Sequence, residues 1–394
     1  MAVIRPDNAQ QARLLRMLRD DGSRSRIELG YATQLSRSRL AAELERLGEL
    51  QWVETAGLAA STGGRPSSIV RIARHTRFLG IDIGASSVDV AVTDGELRVL
   101  SHVSEPMDVR RGPEAVIGRA LELIGKLRGD DIAPGLVGAG VGVPGPVSFA
   151  KGVPVSPPLM PGWDHFPVRE TFSAELGCPV LVDNDVNVMA LGEKHAGTAK
   201  WVDDFLFVKI GTGIGCGIVL GGEVYRGVSG SAGDIGHIRV DDNGPLCQCG
   251  KAGCLEAFFG GAALARDALD AARSQRSEEL ARLLERTGTL TAADVAAAAA
   301  AGDPVAVDMV CEGGRRVGQV LAGLVRFFNP GMVVIGGGVA GIGQVLLAEI
   351  RSVVYRRALP LATGNMPIVL SELAGQAGVI GAARLTSDHV FSVG

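Results

Sequence analysis

At 394 residues the chain exceeds one typical domain, and its 46% hydrophobic and 21% charged content is that of a globular protein, not a disordered or fibrous one. No apolar stretch reaches membrane-spanning length, and residues 1–20 hold four arginines with no apolar run, which predicts a soluble, cytoplasmic protein with neither signal peptide nor membrane partner. Residues 1–77 hold 13 Arg against eight Asp plus Glu, a net +5 in a chain of net −4, so a basic head on an acidic body is expected to meet a polyanion.

In the head, "NAQQARLLRMLRDDG" places Leu14, Leu15 and Leu18 at helical spacing before Gly22 stops the pattern. "SRSRIELGYATQL" opens with Ser25 and carries Glu28 three residues on, a capping-box start for a short helix with apolar positions Ile27, Leu29, Ala32 and Leu35. "SRSRLAAELERLGEL" starts at Ser36 and sets Leu40, Leu44 and Leu47 on one face. Two alternating runs, "LQWVET" and "SSIVRI", flank the turn-rich "AGLAASTGGRP". Three short helices and a β-hairpin predict a winged helix-turn-helix over residues 1–77. That motif turns the first residues of its recognition helix toward base edges, here Ser36, Arg37, Ser38 and Arg39. Arginine reads guanine through a bidentate pair. Arg65, glycine-flanked in the wing, suits a minor groove. The competing reading is a three-helix protein-interaction module whose arginines are merely solvated.

In the body, "RFLGIDIGASSVDVAVTD" reads as strand, glycine turn, strand. Asp82, Gly84, Ser86 and Ser87 put a carboxylate and hydroxyls beside bare backbone, which suits phosphate and a bound cation. In "CPVLVDNDVNVMALGEKHAG" a strand at Val180 to Val182 ends in Asp183-Asn184-Asp185, and a helix runs on from Val186. Asn184 and Asp185 thus project from a strand end, where polar ligands of α/β sheets sit. An amide beside a carboxylate suits adjacent sugar hydroxyls, and Asp185 is placed to take a proton from an attacking hydroxyl. The alternative is a helix N-cap. "FLFVKIGTGIGCGIVLGGEVYRG" repeats the first hairpin about 130 residues on, around Gly211, Thr212 and Gly213. Two such hairpins predict a duplicated architecture holding nucleotide phosphates.

"GHIRVDDNGPLCQCGKAGCLE" gathers His237, Cys247, Cys249 and Cys254. Four soft nitrogen and sulfur ligands are what a closed, structural zinc site takes. The alternatives are incidental proximity, or a disulfide, which a reducing cytosol disfavours. Cys178, Cys216 and Cys311 stand alone in apolar surroundings and are expected to be small core residues. In "MVVIGGGVAGIG" Gly336, Gly338 and Gly341 spell a dinucleotide fingerprint, but no complete βαβ unit follows. The turn around Gly337 is read instead as closing over a nucleotide.

Together these motifs resemble the ROK family (repressors, open reading frames and sugar kinases), in particular its regulators with an N-terminal winged helix. The likeness spans about residues 10 to 385 and rests on the cysteine-rich stretch, "DNDVNVMALGE", "IGTGIGCGIVLGG" and "VGVPGPV". It implies a two-lobed actin-like (ribonuclease H-like) α/β fold: a winged helix-turn-helix at 1–77, a first lobe at 78–185 completed by about 370–394, and a second lobe with the zinc site at 186–369. It implies a sugar between the lobes, with Asn184 and Asp185 on its hydroxyls and Asp185 as catalytic base in family kinases. His237 would bind zinc, and Gly213 and its neighbours would form the second phosphate loop. Two sugar-contacting positions differ: Asp234 stands where the family has Glu, and Gln248 where a Glu can stand. The first phosphate loop, usually Asp-x-Gly-Gly-Thr, reads Asp82-Ile83-Gly84-Ala85-Ser86, so Ala85 adds a methyl where backbone approaches phosphate. The resemblance implies a sugar-responsive repressor that binds operator DNA and a sugar or sugar phosphate, with weak or absent kinase activity. ATP and Mg2+ enter only if that activity is retained. The alternatives are an ATP-dependent, glucokinase-like sugar kinase with a DNA-binding head, and a regulator controlled by a protein partner. Palindromic operators predict a homodimer or homotetramer.

Overall fold

The computed structural model describes residues 5–59, 67–127, 135–158 and 160–393. Arg65 lies outside them. In the head, α1 (Ala9–Asp21) begins where the Asn8 side chain accepts from the Gln10 and Gln11 N–H groups, and it ends at Gly22 with φ +81°. After the two-residue β1 (Arg24–Ser25), α2 (Arg26–Thr33) opens on the reciprocal capping box of Ser25 and Glu28. The Ser36 hydroxyl caps α3 (Arg37–Glu49), and Leu14, Leu15, Leu18, Leu29, Leu40, Leu44 and Leu47 form a buried core. The wing strands β2 (Val53–Leu58) and β3 (Ser68–Ile72) are antiparallel, and β1 adds to β3, so the expected hairpin is a three-stranded sheet. The second helix also departs from its reading. It buries Leu29 and Thr33, leaves Ile27 56% exposed and stops before Leu35.

By packing, the chain forms two units. The first comprises the head with residues up to 155, 162–195 and 378–394. Its sheet runs in the order β10-β7-β4-β5-β6, from β4 (Arg77–Ile83), β5 (Ser87–Thr93), β6 (Val99–Pro106), β7 (Leu136–Val143) and β10 (Val180–Asn184). Around it lie α4 (Pro113–Leu127), a small hairpin of β8 (Val147–Ser148) and β9 (Val153–Pro154), α5 (Val168–Leu176) and α6 (Asp185–Ala196). The C-terminal helix, Ala377–Val390, lies flat on this sheet, because Gly80 and Gly140 leave no Cβ between the strands and its backbone at Val379 and Ala382. The head does not pack as a separate body. Trp52 and Phe78 each meet the Phe391 ring edge-on, at centroid distances of 5.5 and 5.8 Å, within one apolar core. Helix α6 belongs here as well, so this unit's boundary falls after His195, not after Asp185 as expected.

The second unit comprises residues 156–161 and 196–377. Its sheet follows the order β13-β12-β11-β14-β15, from β11 (Phe205–Ile210), β12 (Ile214–Leu220), β13 (Glu223–Val224), β14 (Met332–Gly336) and β15 (Ile368–Leu370). Counted within each unit, both sheets read 3-2-1-4-5, which is the duplication that the paired glycine hairpins predict. Its helices are α7 (Leu255–Phe259), α8 (Gly261–Arg273), α9 (Glu278–Thr287), α10 (Ala292–Ala300), α11 (Pro304–Phe328), α12 (Gln344–Arg357) and α13 (Pro360–Thr363); the C-terminal helix of the first unit is therefore α14. Cys178 and Cys216 are buried, as expected, while Cys311 is half-buried on α11. No helix among the described residues is long and apolar enough to cross a membrane.

Candidate functional site

In the first unit the carboxyl ends of three parallel strands converge. Asp82 on β4 and Asp183 on β10 both stand in register with Gly142 on β7. A Cβ at Gly142 would run into Val188 and lie 3.1 Å from Asp82 Oδ1 and 3.4 Å from the Asp185 Cα. Glycine there is what lets the first turn of α6 approach Asp82. Asn184 Oδ1 accepts from the Val186 and Asn187 N–H groups at 2.9 and 3.3 Å, so the residue does cap α6. Its Nδ2 donates to the Gly145 carbonyl in "VGVPGPV" at 2.9 Å, which commits one of its two amide hydrogens. Buried Asp185 accepts from the Val186 N–H, and Asp183 accepts from the Asn184 N–H and from Asn187 Nδ2. In the first glycine turn the Gly84 N–H donates to the Ser87 carbonyl at 2.8 Å, and the Ser87 hydroxyl is spent on Asp89. Ser86 is left exposed. Carboxylates and an amide at strand ends suit a ligand rich in hydroxyls.

In the second unit the turn at Gly211, Thr212 and Gly213 closes with the Gly211 N–H on the Gly213 carbonyl at 2.8 Å. The first amides of α8 hold it from behind: Gly261 N–H donates to the Gly211 carbonyl at 2.7 Å. Gly337, at φ +89°, leaves no Cβ against the Ile210 carbonyl, so its backbone lies beside that turn. The residue that sequence reading missed is Glu256, two positions after Cys254. Its carboxylate accepts from the Ile214 N–H at 3.1 Å and lies against Gly213, with no room for a Cβ there. Burial pushes this carboxyl above the usual range, and the Ile214 N–H only partly opposes it. An acid in the first turn of a helix reads as ordinary dipole chemistry, which hides it in a sequence. Asp234, half exposed, sits 3.9 Å from His237 Nε2, whereas Gln248 is exposed between its two cysteines.

The four soft side chains do come together. His237 Nδ1, Cys247 Sγ, Cys249 Sγ and Cys254 Sγ all lie within 4.8 Å of one another. Cys247 Sγ stands 3.5 Å from His237 Nδ1, and Cys249 Sγ 3.7 Å from Cys254 Sγ. Tetrahedral zinc, with bonds of ~2.3 Å to sulfur and ~2.0 Å to nitrogen, separates its ligand atoms by roughly 3.5–3.8 Å. The donor set and spacing therefore fit such an ion. Gly253, at φ +78°, makes the fold-back that returns Cys254 to the cluster.

In the head, Ser36, Arg37, Ser38 and Arg39 are all exposed in the first turn of α3. Arg39 is braced by Glu43 at 2.6 Å, and buried Glu43 also accepts from Asn8 Nδ2 and Gln11 Nε2. Arg37 has no ion-pair partner among the described residues.

The sequence profile of the ROK family matches residues 78–389. A glucokinase from Halalkalibacterium halodurans is 33% identical over 319 residues, 80% of this chain and 96% of the relative. The xylose repressor of Caldicellulosiruptor bescii is 27% identical over 382 residues, 96% of this chain and 95% of the relative. Among solved structures, a ROK family transcriptional regulator, homologous to the E. coli MLC protein, superposes with TM-score 0.81 at 25% identity, covering 98% of this chain and 97% of that one.

Proposed function

The chain belongs to the ROK family, and from that premise we propose that it is a sugar-responsive transcriptional repressor. One observation carries the reading: similarity to regulators extends over 96% of the chain and takes in the head, whereas similarity to the glucokinase covers 80%. The head supplies a capped α3 with Arg37 and Arg39 in its exposed first turn, which we assign to operator DNA. Arg65 is assigned to the same interface from sequence alone. We assign the effector, a sugar or sugar phosphate, to Asn184 and Asp185 of the first unit, and Asp234, His237 and Gln248, with Glu256 near them, are the candidate sugar-contacting residues of the second unit. His237, Cys247, Cys249 and Cys254 hold one structural zinc, and the protein reads a palindromic operator as a homodimer or homotetramer. When bound, zinc fixes the loop that carries Asp234 and His237. A four-ligand shell leaves it no position for activating water.

A second reading, an ATP-dependent sugar kinase, is favoured by the retained Asp185 beside Asp82 and by the Gly211-Thr212-Gly213 turn. Positioning makes up most of phosphoryl-transfer catalysis. Ala85 in the first glycine turn therefore argues for slow transfer. One experiment separates the two. Duplexes enriched from a random pool by the full chain are titrated with protein in the presence and absence of D-glucose or D-xylose, and ATP consumption is followed in parallel. Sugar-weakened binding with turnover below about 1 per second supports the repressor; turnover in the kinase range of about 1–100 per second, with no sugar effect on DNA, supports the kinase.

A further inference from the structure

We propose that α6 carries sugar occupancy to the DNA-reading head: Asn184 and Asp185 stand at its first turn, while His195 in its last turn joins Arg384 of α14 to Asp20 of α1. This rests on the sugar-regulated reading above and adds the route by which the effector reaches the operator-binding helices.

At the near end, Asn184 is both proposed sugar ligand and N-cap. A hydroxyl that competes for its Oδ1 acts directly on the bonds to Val186 and Asn187 that start the helix. Between the ends, α6 is a packed rod. Residues Asp185 to Glu193 are all buried, and Gly381 leaves no Cβ between α14 and the α6 backbone at Val188 and Gly192. Packed interiors pass displacement on instead of absorbing it.

At the far end, hydrogen-bond chemistry fixes one tautomer. His195 Nε2 lies 3.1 Å from the Glu96 carbonyl, which can only accept, so Nε2 carries the hydrogen. Nδ1 lies 3.2 Å from Arg384 Nη1, which can only donate, so Nδ1 is the acceptor. The same Arg384 Nη1 donates to Asp20 Oδ1 at 2.7 Å, and His195 Nδ1 is 3.6 Å from that oxygen. Buried Arg19 completes the junction, bonding Asp20, Ser387 and Asp388, while Arg384 also pairs with Asp388. Trp52 of the head meets Phe391 through an apolar contact, to which the junction around Asp20 adds directional bonds. A sugar that binds two arrangements of this junction unequally shifts their populations by that difference and no more.

The test uses the full chain, duplexes enriched by it, and D-glucose and D-xylose as probes. In wild type, sugar weakens duplex binding by a factor within the usual coupling range of about 5–150, and duplex weakens sugar binding by the same factor. His195→Leu removes donor and acceptor, so both factors should fall to within twofold of 1 while sugar and duplex each still bind alone. His195→Gln supplies an amide hydrogen for Glu96 and an oxygen for Arg384, and it should restore the wild-type factors. Asp20→Asn, made from the head side, should uncouple like His195→Leu even if the latter folds poorly. A merely structural role would weaken duplex binding with and without sugar alike and leave the factors unchanged. Unchanged factors in both His195→Leu and Asp20→Asn overturn the inference, as does failure of His195→Gln to restore them. Absence of any sugar effect in wild type instead overturns the sugar-regulated reading itself.

Discussion

Arg37 and Arg39 leave the same turn of α3 with different neighbours. Glu43, held by Asn8 and Gln11, fixes Arg39, so its guanidinium is already partly spent inside the head. Among the described residues Arg37 has no ion-pair partner to occupy its donors. Replacing Arg37 with Ala should therefore cost roughly 1–3 kcal/mol in operator binding and relax preference at one base pair. Titrating single-base variants of the enriched duplex checks this; uniform weakening across all variants would assign Arg37 to phosphate instead. The cysteine cluster makes a second claim at this scale. Elemental analysis of protein purified without chelator should find one zinc per chain, and Cys249→Ser should lose it and lower the thermal midpoint. Folded protein with no stoichiometric zinc would count against the site. The His237 ring turns Nδ1 toward the Cys247 thiol and Nε2 toward Asp234, so the proposed metal and sugar sites would share it. Loss of metal should therefore also weaken sugar binding.

Among the elements, α6 carries the clearest dependence on pH. Burial, then the neighbouring Arg384 and Arg19, lower the His195 pKa below its ordinary 6.5, against the pull of Asp20. A base whose folded-state pKa is depressed stabilises the fold above its unfolded value, and that stability is lost as pH falls through 6.5 toward the folded value. Asp20 and Asp388 are held low against burial by the guanidinium groups of Arg19 and Arg384; they contribute above the ordinary carboxylate range and lose it only in stronger acid. Lowering pH from about 7.5 to about 5.5 spans the ordinary histidine value. It should therefore reduce the melting temperature more in wild type than in His195→Gln. Equal losses would show that His195 does not titrate at this junction, since His389 shifts in the same sense in both proteins. The start of α6 was legible in "DNDVN", where strand end, cap and carboxylate occupy three letters. Its far end was not, because nothing in "EKHAG" announces Asp20, 175 positions away. The same limit explains α2. A short helix buries only two residues here, so the apolar Ile27 was free to face outward, while Leu35 packs against the core from beyond the helix end.

For the whole molecule, the two glycine hairpins foretold two sheets of one topology, because each hairpin opens a sheet and repeats the same turn chemistry. Glu256 stayed hidden for the opposite reason: it faces the Ile214 amide across 42 positions and has no local signature. The charge asymmetry belongs to this scale too. A head of net +5 should release counterions on binding, so the logarithm of operator affinity should fall linearly with that of salt, with a slope of about −0.9 per phosphate neutralised. Arg37→Ala should leave that slope nearly unchanged if it reads a base. A salt-independent affinity would deny the head its electrostatic role. The aromatic contact of Trp52 and Phe78 with Phe391 bears on how such a chain can be inherited or re-engineered. Phe391 lies two positions past the stretch matched by the family profile, yet it is the ring on which the head rests. A recombination that exchanged residues 1–77 alone would leave that ring facing a foreign surface. Grafting another head onto this body therefore calls for changes in two segments, residues 1–77 and the stretch that carries Phe391.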